Sequence, residues 1–161
     1  MRVLLFLLLM VGAAVVAAAY VIARAGKREF AEANEVVPGT STRAPAEWAG
    51  AHSPEARLHR RLRDAVAALR ANPAMEDAFV LEARVTLEQH ALAVDDRLIA
   101  VAALPKDVRS EPLAAVAAAV DAVEAAVASM AAGPPLADGR SGLDRALAEV
   151  EHRVATLQQG G

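Results

Sequence analysis

Four histidines, at positions 52, 59, 90 and 152, are the side chains of this chain best suited to carry protons or bind metal near neutral pH. Glu149 and His152 have the Glu-x-x-His spacing that places two metal ligands on one helix face. A di-metal bundle site needs a second such motif and two further inward glutamates, and the chain has no second Glu-x-x-His. The apolar positions Leu147, Val150 and Val154 also turn Glu149 and His152 outward. His59 follows Leu58 by one residue and is expected to flank a helix interface, and His90 falls at the edge of an apolar face. Ser53, Ser110 and Ser141 stand where helices start and read as caps, Ser129 is a single hydroxyl among alanines, and there is no G-x-S-x-G motif. The adjacent acids Glu76-Asp77 and Asp95-Asp96 diverge by about 100° on a helix, so they do not converge on one proton. Gly133, Gly139 and Gly142 read as turn residues, not as a phosphate loop. The chain contains no cysteine, which excludes disulfides, thiolate zinc and a cysteine nucleophile. No catalytic site, cofactor site or metal site is expected, and the chain reads as a non-enzyme.

One basic cluster stands out. Arg57, Arg60, Arg61 and Arg63, with His59 among them, crowd the start of a helix, where positive charge opposes the dipole. Anionic lipid headgroups would attract each arginine by about 1 kcal/mol near a membrane surface. The alternative is a solvated face balanced by Glu55 and Asp64. The formal net charge of −3 argues against nucleic acid as a partner.

The elements that would position these residues begin with a membrane segment. Val3 to Ala23 carries no charge, between Arg2 and Arg24. As a helix it spans roughly 31 Å, close to the thickness of a bilayer core. It is longer than the apolar core of a cleaved signal peptide, although Ala23-Arg24-Ala25 resembles a cleavage site. Arg24, Lys27 and Arg28 outnumber the positive charge on the other flank, which predicts a cytoplasmic C-terminal part. The pairs Ala13/Ala17 and Ala14/Ala18 have the spacing that lets membrane helices approach closely. The anchor helix is expected to run on to Val37, where Pro38 stops it. Residues 37–53, rich in Pro, Gly, Ser and Thr, read as a linker. Trp48 within it either lies on the side of the domain or rests at the headgroups.

Beyond Ser53 the apolar spacing predicts four amphipathic helices. Leu58, Leu62, Ala65 and Leu69 mark the first. The second, from Pro73 to Leu104, has two apolar faces: Leu81, Val85, Leu92 and Ile99 on one, Leu87, Ala91, Val94, Leu98 and Val101 on the other. A charged ladder of Asp77, Arg84, Glu88 and Asp95 separates them. The third starts near Ser110 and carries Leu113, Val116, Val120, Val123, Val127 and Met130 in a background of alanine. Asp121 and Glu124 near its middle argue that it is a core helix and not a second membrane span. The fourth follows a Gly-rich turn at 137–142 and carries Leu143, Leu147, Val150, Val154 and Leu157.

The chain is therefore expected to be all-α: a transmembrane anchor (1–24), a juxtamembrane helix and flexible linker (25–53), and an up-and-down antiparallel bundle of about four helices (54–159). The expected function is that of a membrane-anchored, non-enzymatic helical interaction or scaffold protein. Its partners would be the lipid bilayer and a second copy or another helical protein. Its interaction face would be Val116, Val120, Val123 and Val127, or the half of the long helix left uncovered. The alternative is an envelope-facing or secreted bundle, released by signal-peptide cleavage, that binds a small ligand.

Overall fold

The structure is a computed structural model that describes residues 34–72, 78–131 and 138–159. The segments expected to be a transmembrane anchor and a juxtamembrane helix lie, up to residue 33, outside the described residues. Among the described residues the chain is all-helical: α1 is Pro54–Arg70, α2 Ala78–Ala102, α3 Ser110–Ala131 and α4 Asp138–Gln159. A single 3-10 turn, Ala46–Ala49, precedes them.

Helix α1 forms where its sequence gives it a start and a buried stripe. Ser53 accepts a hydrogen bond from the Ala56 amide at 3.2 Å, and Pro54 opens α1 without wasting a donor. The α1 stripe buries Leu58, Leu62, Ala65, Val66 and Leu69. Of the two apolar faces of α2, the one with Leu87, Ala91, Val94, Leu98 and Val101 is fully in the core. On the other face Leu92 and Ile99 are half-buried, while Leu81 and Val85 remain 46% exposed. Burial of each Leu or Val in such a core contributes about 1.5–3 kcal/mol.

Named contacts fix the directions. His59 meets Asp95 and Arg70 meets Glu88, so α1 and α2 run antiparallel. Arg61 reaches Asp121 and Glu124, and Asn72 reaches the Met130 carbonyl, so α1 and α3 run the same way. Residues 93–100 of α2 share a surface cleft with residues 154–158 of α4, and these two helices are also parallel. Among the described residues, helices α2 and α3 each contact the other three, whereas α1 and α4 do not touch. The cross-section is thus a diamond with α2 and α3 on its short diagonal.

Helix α3 is, among the described residues, the helix long and apolar enough to cross a membrane by length and composition. In this fold it is a core helix. Val116, Ala119, Val120, Val123 and Ala126 are fully buried, and the small alanines let its neighbours approach to the short end of the usual 8–10 Å spacing. Its two acids face Arg61, whose guanidinium pairs with Asp121 at 2.6 Å and with both oxygens of Glu124 at 2.9 and 2.6 Å.

Three features differ from the sequence reading. The helix expected to continue to Val37 is absent from 34–37, because Asn34 to Thr40 form turns and bends. There Thr40 N–H donates to the Val37 carbonyl at 2.9 Å, and Gly39 at φ +88° supplies the left-handed position that a type II turn requires after Pro38. The segment read as a linker is packed: Val36, Val37 and Trp48 are all buried. Finally, α4 begins at Asp138, so Gly139 and Gly142 lie inside its first turns and do not form a loop.

Candidate functional site

One histidine and one aspartate, His59 and Asp95, meet where the 34–53 segment crosses α1 and α2. His59 projects from the second turn of α1 and is completely buried; Asp95 projects from α2 with 5% of its side chain exposed. The His59 Nδ1 and Asp95 Oδ1 are 2.7 Å apart. The His59 Nε2 is 3.0 Å from the backbone carbonyl of Asn34. Thr42 donates its hydroxyl to the other Asp95 oxygen at 2.8 Å and accepts the Ala44 amide at 3.0 Å. Trp48 closes the site edge-on to the imidazole, with ring centroids 5.6 Å apart and planes at 62°.

Both partners of the imidazole are acceptors. A neutral imidazole offers these acceptors one N–H, and an imidazolium offers two. A buried His–Asp pair is tolerated only when its remaining lone pairs and protons are satisfied. Thr42 and the Asn34 carbonyl do this, and both come from the 34–53 segment. The segment is therefore held by the same bonds that satisfy the buried pair.

A His–Asp pair is also the base and orienting acid of a nucleophilic triad. In this fold the nitrogen that would face a nucleophile faces a backbone carbonyl, and the ring has no exposed surface. The arrangement is built to fasten three stretches of chain together. Further bonds act in the same sense. Arg60 donates to the carbonyls of Trp48 at 2.9 Å and Ala51 at 2.7 Å, and exposed Arg43 pairs with Asp96 at 2.8 Å.

The structure distributes the other candidate residues differently from the sequence reading. His59 does not flank the interface; it is inside it. Val116, Val120, Val123 and Val127, expected to meet a partner, are buried by the chain's own helices and form the core. Of the four clustered arginines, Arg57 is exposed, Arg60 holds the Trp48 and Ala51 carbonyls, Arg61 is paired with α3, and Arg63 reaches Asp64 at 2.9 Å. Three of the four are thus engaged within the fold. Glu149 and His152 are exposed on α4, and Glu149 pairs with Arg153 at 2.7 Å. Among the described residues no group of three His, Asp or Glu side chains is placed to hold a metal ion.

Two further titratable groups are perturbed. Burial pushes His90 below the usual histidine range, against the opposing charge of Glu151 on α4. Burial would raise the Glu55 carboxyl, but hydrogen bonds from its own backbone amide, from Arg109 and from Ser53 outweigh it and hold the group below the usual range. Arg109 bonds Glu55 at 2.9 Å and also the Leu104 carbonyl, which pins the α2–α3 connection to the start of α1.

Asp95 is the residue that sequence reasoning misses, since it reads there as one rung of a solvated ladder. The signal was present. Asp95 stands four residues after Ala91 and three before Leu98, a seam position, and His59, Leu62, Val66 and Leu69 are likewise spaced 3, 4, 3. Compared with known proteins, the chain matches no family model, no curated protein and no solved structure.

Proposed function

We propose that this chain is a single-pass, membrane-anchored, non-enzymatic helical interaction protein, with its bundle on the cytoplasmic side. The observation that carries this reading is the charge-free stretch Val3–Ala23, joined by few residues to a segment packed on the bundle. If residues 25–53 formed a free linker, the bundle could roam far from its anchor. With the chain fastened at Asn34, ten residues (24–33) separate the charge-free stretch from the domain, a reach of roughly 40 Å fully extended. The interaction surface is the uncovered side of α2 at Leu81 and Val85, in place of the α3 valines. Its occupant is a second copy of the chain, since small residues four apart in the anchor favour close helix approach and anchoring confines copies to one plane.

Membrane fractionation of cells expressing the full chain tests the reading. The expected result is an intact product, beginning at its first residues, that stays in the pellet after a carbonate wash. A product found in the soluble fraction, or one whose N-terminus starts near Gly26, overturns it.

A further inference from the structure

We infer that the α2–α3 connection, residues 103–109, is a foot by which the bundle rests on the bilayer that holds its own anchor. The inference builds on the anchored reading above and adds an orientation to it. The start of α1, the end of α2, the start of α3 and the end of α4 all lie at one end of the bundle, because α1 parallels α3, α2 parallels α4, and α1 opposes α2. Asn34, the first described residue, is fixed at the level of His59 and Asp95. From Asp95 to the end of α2 at Ala102 is about 10 Å along the axis, whereas back to Ala78 is about 26 Å. The chain arriving from the membrane therefore meets the bundle near the 103–109 end. The opposite end reaches lipid only if the tether spends most of its length running alongside the bundle.

That end also presents the chemistry an interface needs. Val108 is the most exposed large apolar residue of the described chain, at 54%. Its turn is not loose: the Val108 amide donates to the Pro105 carbonyl at 3.3 Å, and Arg109 ties the turn to both Glu55 and the Leu104 carbonyl. Lys106 is exposed beside it, and Arg57 is exposed in the first turn of α1. The charges at this end are mixed, with Asp107 and Glu111 also exposed. The contact is therefore apolar seating at the headgroup level, not attraction of a basic patch. A weak contact suffices, because the tether supplies a high effective concentration of lipid surface.

The absence of native cysteine makes the test direct. Full-length V108C and S129C are each labelled with an environment-sensitive fluorophore and reconstituted into phosphatidylcholine–phosphatidylglycerol vesicles. A fraction of the lipid carries a nitroxide on its headgroup. Ser129 is exposed near the other end of α3 and serves as the distal reference. The expected result is loss of fluorescence at position 108 and none above background at 129, with both variants floating with the vesicles. Flotation with equal quenching at the two positions overturns the foot and leaves the anchor standing. A chain that fails to float overturns both.

Discussion

At the scale of single residues, the fate of His59 turns on proton counting. A buried imidazole between a carboxylate and a carbonyl faces two acceptors, and an acceptor left without a donor there costs what a buried unsatisfied group costs. The substitution Asp95→Asn meets the requirement in another way. Its amide N–H donates to Nδ1, the ring Nε2–H donates to the Asn34 carbonyl, and its oxygen still accepts from Thr42. We expect D95N to unfold in denaturant within about 1 kcal/mol of the parent chain, as for an exchange of one satisfied hydrogen bond for another. D95A leaves the ring facing a void and is expected to lose about 3–5 kcal/mol, the usual cost of breaking a buried pair. Circular dichroism of the full chain in mild detergent gives the stability, and Trp48, the sole tryptophan, reports release of the 34–53 segment by a red-shifted emission. If D95N proves as unstable as D95A, the buried charge itself is required and a neutral imidazole–amide pair does not substitute for it. The identity of the partner was not legible in the sequence. The spacing shows that positions 59 and 95 fall on seams, but not that two seams 36 residues apart meet polar residue to polar residue.

At the scale of elements, the helices were legible because their stripes repeat, and the segment before them was not because packing leaves no period in irregular chain. The stripe Leu58, Leu62, Ala65, Leu69 and the stripe Val116, Val120, Val123, Val127 both point into the core as their spacing requires. What spacing does not tell is whether a core stripe has a surplus for a partner. The α3 valines look available until all neighbours are placed. In residues 34–53, turn-forming Pro, Gly, Ser and Thr signal only that the backbone is irregular; buried Val36, Val37 and Trp48 among them were the sign of packing. The element junction most open to test is the tie between Glu55 in the first turn of α1 and Arg109 before α3. The Glu55 carboxyl is held below its unfolded value of 4.5, so the unfolded chain binds its proton first as pH falls. The contribution of the tie is complete above about pH 4.5 and drains away as pH drops through the lower folded value. E55Q removes that contribution at neutral pH. Its stability, followed from pH 7 to pH 3 by thermal unfolding, should therefore begin lower and fall less steeply below pH 4.5 than that of the parent. Parallel curves would show that the backbone amide, Arg109 and Ser53 together do not hold the Glu55 carboxyl below its unfolded value.

At the scale of the whole molecule, the fastening at Asn34 gives the bundle two distinguishable ends. The end that carries the α2–α3 connection lies near the entry of the tether; the end that carries the start of α2 lies roughly 26 Å from the level of that entry, by helix rise. Leu81 and Val85 stand close to that distal end, one turn apart on the part of the second α2 face that stays exposed. Two exposed apolar side chains are too few to hold free proteins together, since scattered surface apolar residues are ordinary. Copies anchored in one membrane are already oriented alike and confined to a plane, so a small symmetric contact has far less to overcome. The double substitution L81E/V85E separates this role from folding. Because both side chains are exposed, the variant should unfold within about 0.5 kcal/mol of the parent. In native membranes, bifunctional amine cross-linking of the full chain should yield a dimer band for the parent that the variant loses, since each subunit then brings two like charges to the contact. A dimer that persists in L81E/V85E assigns association to another surface, the anchor segment being the next to test through the Ala13/Ala17 and Ala14/Ala18 pairs. Cross-linking of the parent to a different protein, with no dimer, replaces the second copy by a helical partner at the same face.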